Sequence, residues 1–400
     1  MVDINEKKGI KIFNINSIIM YIILFFPISS TLKVYLEPLN ILFTICCFVM
    51  FILFYSLYGI TKKETIFYGY ALIGIIINCF ICRLDFFNVN MVVYFPFFLM
   101  YIFYFVRNEN EILNFIKDNK KYINFIIYFW SIMIFISLFF PSSYIYEGQT
   151  KGFVSFVGTT FLLCPIAIYM FVLITIQFYL YKEKIYLLLL GMPSLCILLG
   201  TTRTYLIGLF CAWLVFIYIN IKTKKLFVII FLICVVLFIG IVFLSPIKDK
   251  FIEALNRTNE LGIDPLAAFT SGRSLFWSYD MEQILSNNWW NLLFGNGSNY
   301  LYDINKIEFH NPLWAHNDFI QILADYGIVG LIVYVYLIYY LIRKILKDIN
   351  IKYTIIIILV FMWFFIAFFN MFYTYFCTML AFPFYVLIIK YDQIERNMIK

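Results

Sequence analysis

Charge is scarce in this chain. Asp, Glu, Lys and Arg make up only 13% of its 400 residues, against 64% hydrophobic residues, and mean hydropathy is +0.89. A soluble domain of this size needs a large charged surface, which excludes an ordinary soluble enzyme. Apolar runs of about eighteen residues or more recur along the chain. They do not alternate, which excludes a β-barrel. The fold class expected is therefore an all-α integral membrane protein.

Other absences narrow the chemistry. There is no P-loop and no glycine-rich nucleotide fingerprint, so a nucleotide-sugar or ATP enzyme is not expected. Acidic residues form no paired cluster on the expected outer side, and no metal or other cofactor is expected. None of the nine cysteines falls in the long polar segment 246–315, so a disulfide framework is not expected. Cys79 and Cys82 form a C-x-x-C, but nothing nearby completes a metal or redox site, and small buried hydrophobes are the better reading. The basic N-terminus, MVDINEKKGIKIF, runs into an apolar stretch without a small-residue cleavage site, so that stretch is expected to be a retained helix.

What is present is about twelve apolar spans. They lie near 15–36, 38–60, 65–82, 90–106, 122–141, 153–180, 184–200, 203–219, 226–245, 317–342, 353–370 and 373–389. The last two come from one apolar stretch too long for a single crossing, and Asn370 is the natural place to split it. Lys and Arg alternate in abundance between successive connections. One set of connections carries 21 of them and the other 9. By the positive-inside rule both termini lie in the cytoplasm, and the net charge of +7 reflects topology rather than a nucleic-acid partner. The chain then divides into helices one to nine (1–245), a large outer loop (246–315), and helices ten to twelve with a cytoplasmic tail (316–400). That loop holds both histidines, four of the seven tryptophans and a GNGSN turn at 295–299. SLFWSYDMEQIL within it is a candidate short helix lying on the membrane surface.

Three places can carry chemistry. Arg203 opens span eight, where helix N–H groups and a guanidinium suit an anion; a snorkelling interface residue is the plainer alternative. Arg273 follows a glycine in FTSGRSLFW, where a solvated loop charge is the alternative. His316 precedes span ten, and Asn317, Gln321 and Asp325 then recur every four residues on one helix face. Such a polar face must meet protein or a water-filled cavity; helix capping by Asn317 is the plainer alternative. A phosphate or pyrophosphate at the outer leaflet would suit two arginines and a histidine gathered there. With an arginine-bound pyrophosphate as leaving group, transfer needs only charge stabilisation and help for the attacking hydroxyl.

At these residues the chain resembles the O-antigen ligase and polymerase superfamily of bacterial membrane glycosyltransferases. TTRTYLIGL (201–209) resembles the family's arginine-opened helix, and SGRSLFW (271–277) its G-R-x-x-x-W element. HNDFIQILADYGIVGL (316–331) resembles its H-N-x-x-(I/L)-x-x-L-x-E-x-G-x-x-G element, with Asp325 where the family usually has Glu. The resemblance implies a metal-independent, GT-C-like helical fold in the bacterial inner membrane. It implies a substrate, undecaprenyl-diphosphate-linked glycan, presented at the outer leaflet. It also implies membrane lipids, a flippase and a chain-length regulator as partners. Arg203 and Arg273 would hold the diphosphate, and His316 would orient or deprotonate the acceptor hydroxyl. Asn317, Asp318, Gln321 and Asp325 would serve the substrate region.

Two activities fit. A Wzy-type polymerase would move the growing glycan onto a fresh lipid-linked repeat unit. A ligase would move it to lipid A–core or another acceptor. The high Phe, Tyr, Ile, Lys and Asn content implies an AT-rich gene, usual in variable glycan clusters, and favours the polymerase. A transporter fits less well, because the spans hold almost no midplane charge and no internal repeat is visible.

Overall fold

The computed structural model describes residues 15–70, 89–147, 150–221, 247–261, 264–297, 300–310, 313–347 and 353–398, with isolated positions between 226 and 243. They are mostly helical. Four described helices are long and apolar enough to cross a membrane by length and composition: Glu37–Tyr58, Thr160–Tyr181, Arg203–Asn220 and Asp318–Ile345. Shorter apolar helices accompany them at Ile15–Thr31, Tyr94–Arg107, Ile185–Leu199 and Thr354–Phe369. The expected spans near 65–82 and 226–245 lie partly outside the described residues, and Cys79, Cys82 and Arg83 lie wholly outside them.

Thr160–Tyr181 is the centre of the packing. It is apolar on every side, and 17 of its 22 residues are buried. Around it stand Ile15–Thr31, Gly191–Leu199, Arg203–Asn220 and Phe376–Met398. Glu37–Tyr58 behaves differently. It buries Cys47, Phe51, Phe54 and Tyr55 and leaves Ile41, Ile45 and Leu57 exposed, an apolar face suited to lipid.

One boundary differs from the sequence expectation. The span expected from residue 153 starts at Thr160, because the chain before it forms an antiparallel hairpin, Tyr144–Glu147 with Thr150–Phe153. The reason is tertiary. Gly152 lies so close to the turn before Arg203 that an added Cβ would stand 3.1 Å from Thr160 Cγ2 and 3.4 Å from Thr201 Oγ1. The hairpin thus braces the turn that delivers Arg203.

The long apolar stretch does break at Asn370: Tyr353–Phe369 ends there and the next helix runs over Phe376–Met398. A second interruption lies inside Asp318–Ile345, where Gly327 leaves helical geometry at φ +68° and ψ −168°. Carbonyls freed by such a break need partners from elsewhere. Ala324 O accepts from Asn296 N–H at 2.7 Å and Asp325 O from Gly297 N–H at 3.3 Å. Tyr326 O accepts from the Tyr70 hydroxyl at 2.6 Å. The glycine turn at 295–297 therefore plugs the kink.

Between these regions lie five shorter helices: Ile247–Leu261, Pro265–Phe269, Arg273–Ser286, Trp289–Phe294 and Tyr300–Phe309. The candidate segment SLFWSYDMEQIL falls in Arg273–Ser286, which buries Ser274, Trp277, Asp280 and Ile284. Those positions recur every three or four residues, the spacing of one helix face.

Candidate functional site

The helix Arg203–Asn220 starts at Arg203 itself. Its N-cap, Thr202, has extended backbone and makes no side-chain cap. Thr201 enters the turn at φ +56°. First-turn N–H groups without a cap, next to a guanidinium, form an anion-favouring corner. Ser271 and Gly272 make the equivalent turn for Arg273, at φ +57° and +85°. Gly272 is the N-cap of Arg273–Ser286.

The two turns meet. Arg203 Nη2 donates to Ser271 Oγ at 2.7 Å. Arg273 Nη1 donates to the Phe369 carbonyl at 2.7 Å. Thr204 Oγ1 reaches the same carbonyl at 3.4 Å. Both arginines line a cavity of about 860 Å³. Lys248 and Lys250 add two further cations to its wall, against one carboxylate, Glu253. Thr201, Thr202, Thr270 and Ser271 bring hydroxyls. Most of the remaining wall is apolar, with Phe161, Leu206, Ile207, Phe251, Phe365 and Phe369 among it. A cavity both cationic and oily suits an anionic head joined to a hydrocarbon chain.

His316 stands beside this cavity rather than in its wall. Its ring centre is 6.4 Å from that of Phe161, which does line it. The residue adopts φ +49° immediately before the helix begins. Two bonds hold the preceding segment: Trp277 Nε1 donates to Ala315 O at 2.6 Å, and Ala315 N–H donates to Gln321 Oε1 at 3.1 Å. Burial, with the Arg273 guanidinium adding to it, pulls the His316 imidazole down to about 3. The Asn370 side chain acts in the opposite sense. At neutral pH His316 is an uncharged imidazole able to accept a proton.

The other four expected site residues are buried and bonded to protein, and none lines the cavity. Asn317 Oδ1 caps the helix, accepting from Phe319 N at 2.9 Å and Ile320 N at 3.2 Å. Gln321 Nε2 donates to both Asp325 oxygens at 3.0 Å. Asp318 accepts from the Tyr334 hydroxyl at 2.5 Å and from the N–H groups of Phe372 and Tyr373. The polar face predicted for this helix thus meets protein, and its side chains fix the ledge that carries His316.

Lys248 and Lys250 line the cavity although no local motif marks them as site residues. In sequence they are two loop charges, and only the packing of Ile247–Leu261 brings them to the arginines. No group of three or more His, Cys, Asp or Glu side chains that could hold a metal occurs among the described residues.

Residues 185–335 match the family model described as O-antigen ligase, a match consistent with the O-antigen ligase and polymerase superfamily. Members of that family are glycosyl-transferring enzymes. The matched segment includes Arg203, Arg273 and His316 and ends within Asp318–Ile345. The match covers less than half of the chain, and together with the apolar helices it suggests a membrane protein similar over that segment to O-antigen ligases. No curated protein and no solved structure matches the chain.

Proposed function

We propose that this chain is a polysaccharide polymerase. It joins undecaprenyl-diphosphate-linked repeat units at the outer leaflet of the bacterial inner membrane. The observation that carries the reading is the meeting of Arg203 and Arg273, from helices far apart in sequence, on one cavity whose wall is otherwise largely apolar. The arginines bind the diphosphate and take up the charge that grows on it as the sugar leaves. The acceptor hydroxyl oxygen bonds to the anomeric carbon while the carbon–oxygen bond to the diphosphate breaks, its electron pair staying on the phosphate oxygen. The hydroxyl proton passes to His316. Asn317, Asp318, Gln321 and Asp325 hold His316 and the adjacent chain in register.

The description of the matching family favours a second reading, a ligase that moves the finished glycan to lipid A–core or another acceptor. The glycan profile of a strain lacking the gene separates the two. Core plus one repeat unit, with the ladder gone, means polymerase. Lipid-linked polymer accumulating while all core-attached repeats vanish means ligase. An unchanged profile sinks both.

A further inference from the structure

Asn370 lies outside the segment that matches the family model, at the end of Tyr353–Phe369. Its side chain is fully buried. By distance and angle, neither Oδ1 nor Nδ2 completes a hydrogen bond to a described residue, and His316 Nδ1 is in the same condition. Buried polar atoms seldom stay unsatisfied, and groups of them in one place call for an explanation.

The two residues occupy the same corner. Asp318, just after His316, binds the N–H groups of Phe372 and Tyr373, just after Asn370. Phe369, directly before Asn370, gives its carbonyl to Arg273, whose charge is felt at the imidazole. The Asn370 amide is itself near enough to act on that ring. An amide can turn over, and an imidazole can carry its proton on either nitrogen. One arrangement pairs the two: Nδ1–H donating to Oδ1.

We propose that Asn370 is a positioning residue for His316. Its side-chain carbonyl accepts the Nδ1 proton, holds the imidazole as the Nδ1–H tautomer and leaves the Nε2 lone pair for the acceptor hydroxyl. When that hydroxyl attacks, its proton goes to Nε2, and the imidazolium so formed keeps its Nδ1–H bond to Asn370. The purpose of the contact rests on the glycosyl-transfer reading above; the contact itself does not.

The chain has only two histidines, which makes a direct test practicable. Full-length protein in nanodiscs, labelled with ¹⁵N-histidine and carrying His310→Asn, gives the His316 ring alone in a long-range ¹H–¹⁵N spectrum. That spectrum tells protonated from unprotonated ring nitrogens. At pH 7 the parent should show the Nδ1–H tautomer. Asn370→Ala should shift it to Nε2–H or a mixture, and Asn370→Asp, whose carboxylate still accepts, should restore Nδ1–H. Polymer formation should fall at least about tenfold in Asn370→Ala and recover in Asn370→Asp. An Nε2–H ring in the parent, or a ring unchanged by Asn370→Ala, overturns the proposal. If Asn370→Ala fails to fold, the parent and Asn370→Asp spectra still decide. A normal glycan profile in the deletion strain would defeat the proposed function while leaving the tautomer result standing.

Discussion

The Asp318 carboxylate holds the backbone N–H of Phe372, with Oδ1 at 3.0 Å and Oδ2 at 2.9 Å. Asp318 opens one long helix, and Phe372 lies in the break after another. A helix break within apolar surroundings exposes N–H groups that lipid cannot satisfy. One carboxylate meets two of them and also takes the Tyr334 hydroxyl. Asp318→Ala should therefore cost roughly 1–3 kcal/mol for each donor left buried without a partner. Thermal unfolding of the detergent-solubilised protein checks this. A midpoint equal to the parent's would mean that water or another group covers the break.

The kink at Gly327 makes a second claim on stability. An added Cβ there would stand 2.3 Å from the Leu293 carbonyl, and one at Gly295 would stand 2.2 Å from the Asp325 carbonyl oxygen. Both residues also have positive φ. Gly327→Ala and Gly295→Ala should each destabilise by roughly 2–5 kcal/mol, from backbone strain and overpacking together. Gly69 is the control, since no atom of the described residues lies within 4 Å of its added Cβ. Gly69→Ala should be neutral or mildly stabilising, as expected in a helix interior. Equal expression and melting of all three variants would contradict the packing of the 295–297 turn into the kink.

Much of this was legible in the sequence where the signal was local. Arg203 falls at the start of its helix, Asn317 caps the next long one, and the apolar stretch breaks at Asn370. Residue type and spacing suffice for such features. What was not legible depends on distant chain. The Tyr144–Phe153 hairpin hides in a short stretch whose pairing is stabilised by the turn before Arg203. Nothing in DYGIVG announces that Asn296, Gly297 and Tyr70 will cap the three carbonyls of a kink. Asp318 is expected from its motif to serve the substrate region, and nothing local shows that it also holds the backbone at 372 and 373.

The two arginines have different protein partners, Ser271 Oγ for Arg203 and the Phe369 carbonyl for Arg273, and replacement tests what each guanidinium supplies. Arg273 gives one guanidinium nitrogen to the Phe369 carbonyl and lines the cavity as well. A lysine is a point donor and lacks the fork that serves two partners in fixed geometry. Arg273→Ala and Arg203→Ala should each lower polymer formation by about 10²–10³-fold. Arg273→Lys should stay close to its alanine variant. Lys248→Ala should cost less, because that cation sits on the wall without the arginines' fork. Purified protein and lipid-linked repeat units provide the assay; normal polymer in both alanine variants would remove the arginines from the site.

Asp280 offers a pH test away from the reaction. It is fully buried on Arg273–Ser286, and neither carboxyl oxygen has a hydrogen-bond partner by distance and angle among the described residues. Burial pushes its carboxyl up to about 7 from 3.8, with Asn305 opposing. Between those values the folded state keeps a proton that the unfolded state has released. The Asp280 contribution is therefore whole below pH 3.8 and is lost as pH rises through about 7. Asp280→Asn should melt higher than the parent at pH 8 and close to it at pH 4. A parent-minus-variant difference that does not change with pH would refute the assignment.

His316 gives the opposite sign and bears on activity. An ordinary histidine near 6.5 would lose its basic form on mild acidification. Here burial and Arg273 lower the group to about 3, so the free protein keeps a neutral imidazole well below pH 6. The dianionic diphosphate diester of the donor, bound at Arg273, would offset the guanidinium's field and raise the imidazole toward its ordinary value. The base would then strengthen when the donor arrives, which favours proton transfer only in the loaded site. The kinetic consequence follows from that order. Dependence on donor at low concentration reports the free enzyme and should be level from pH 7 to 5 as far as His316 is concerned. The rate at saturating donor reports the loaded enzyme and should fall on acidification at a higher pH. Comparing both profiles with those of Asp280→Asn removes the stability effect. A low-donor profile that already falls at pH 6.5 would mean that His316 titrates as a solvent-exposed side chain and that its burial is not felt.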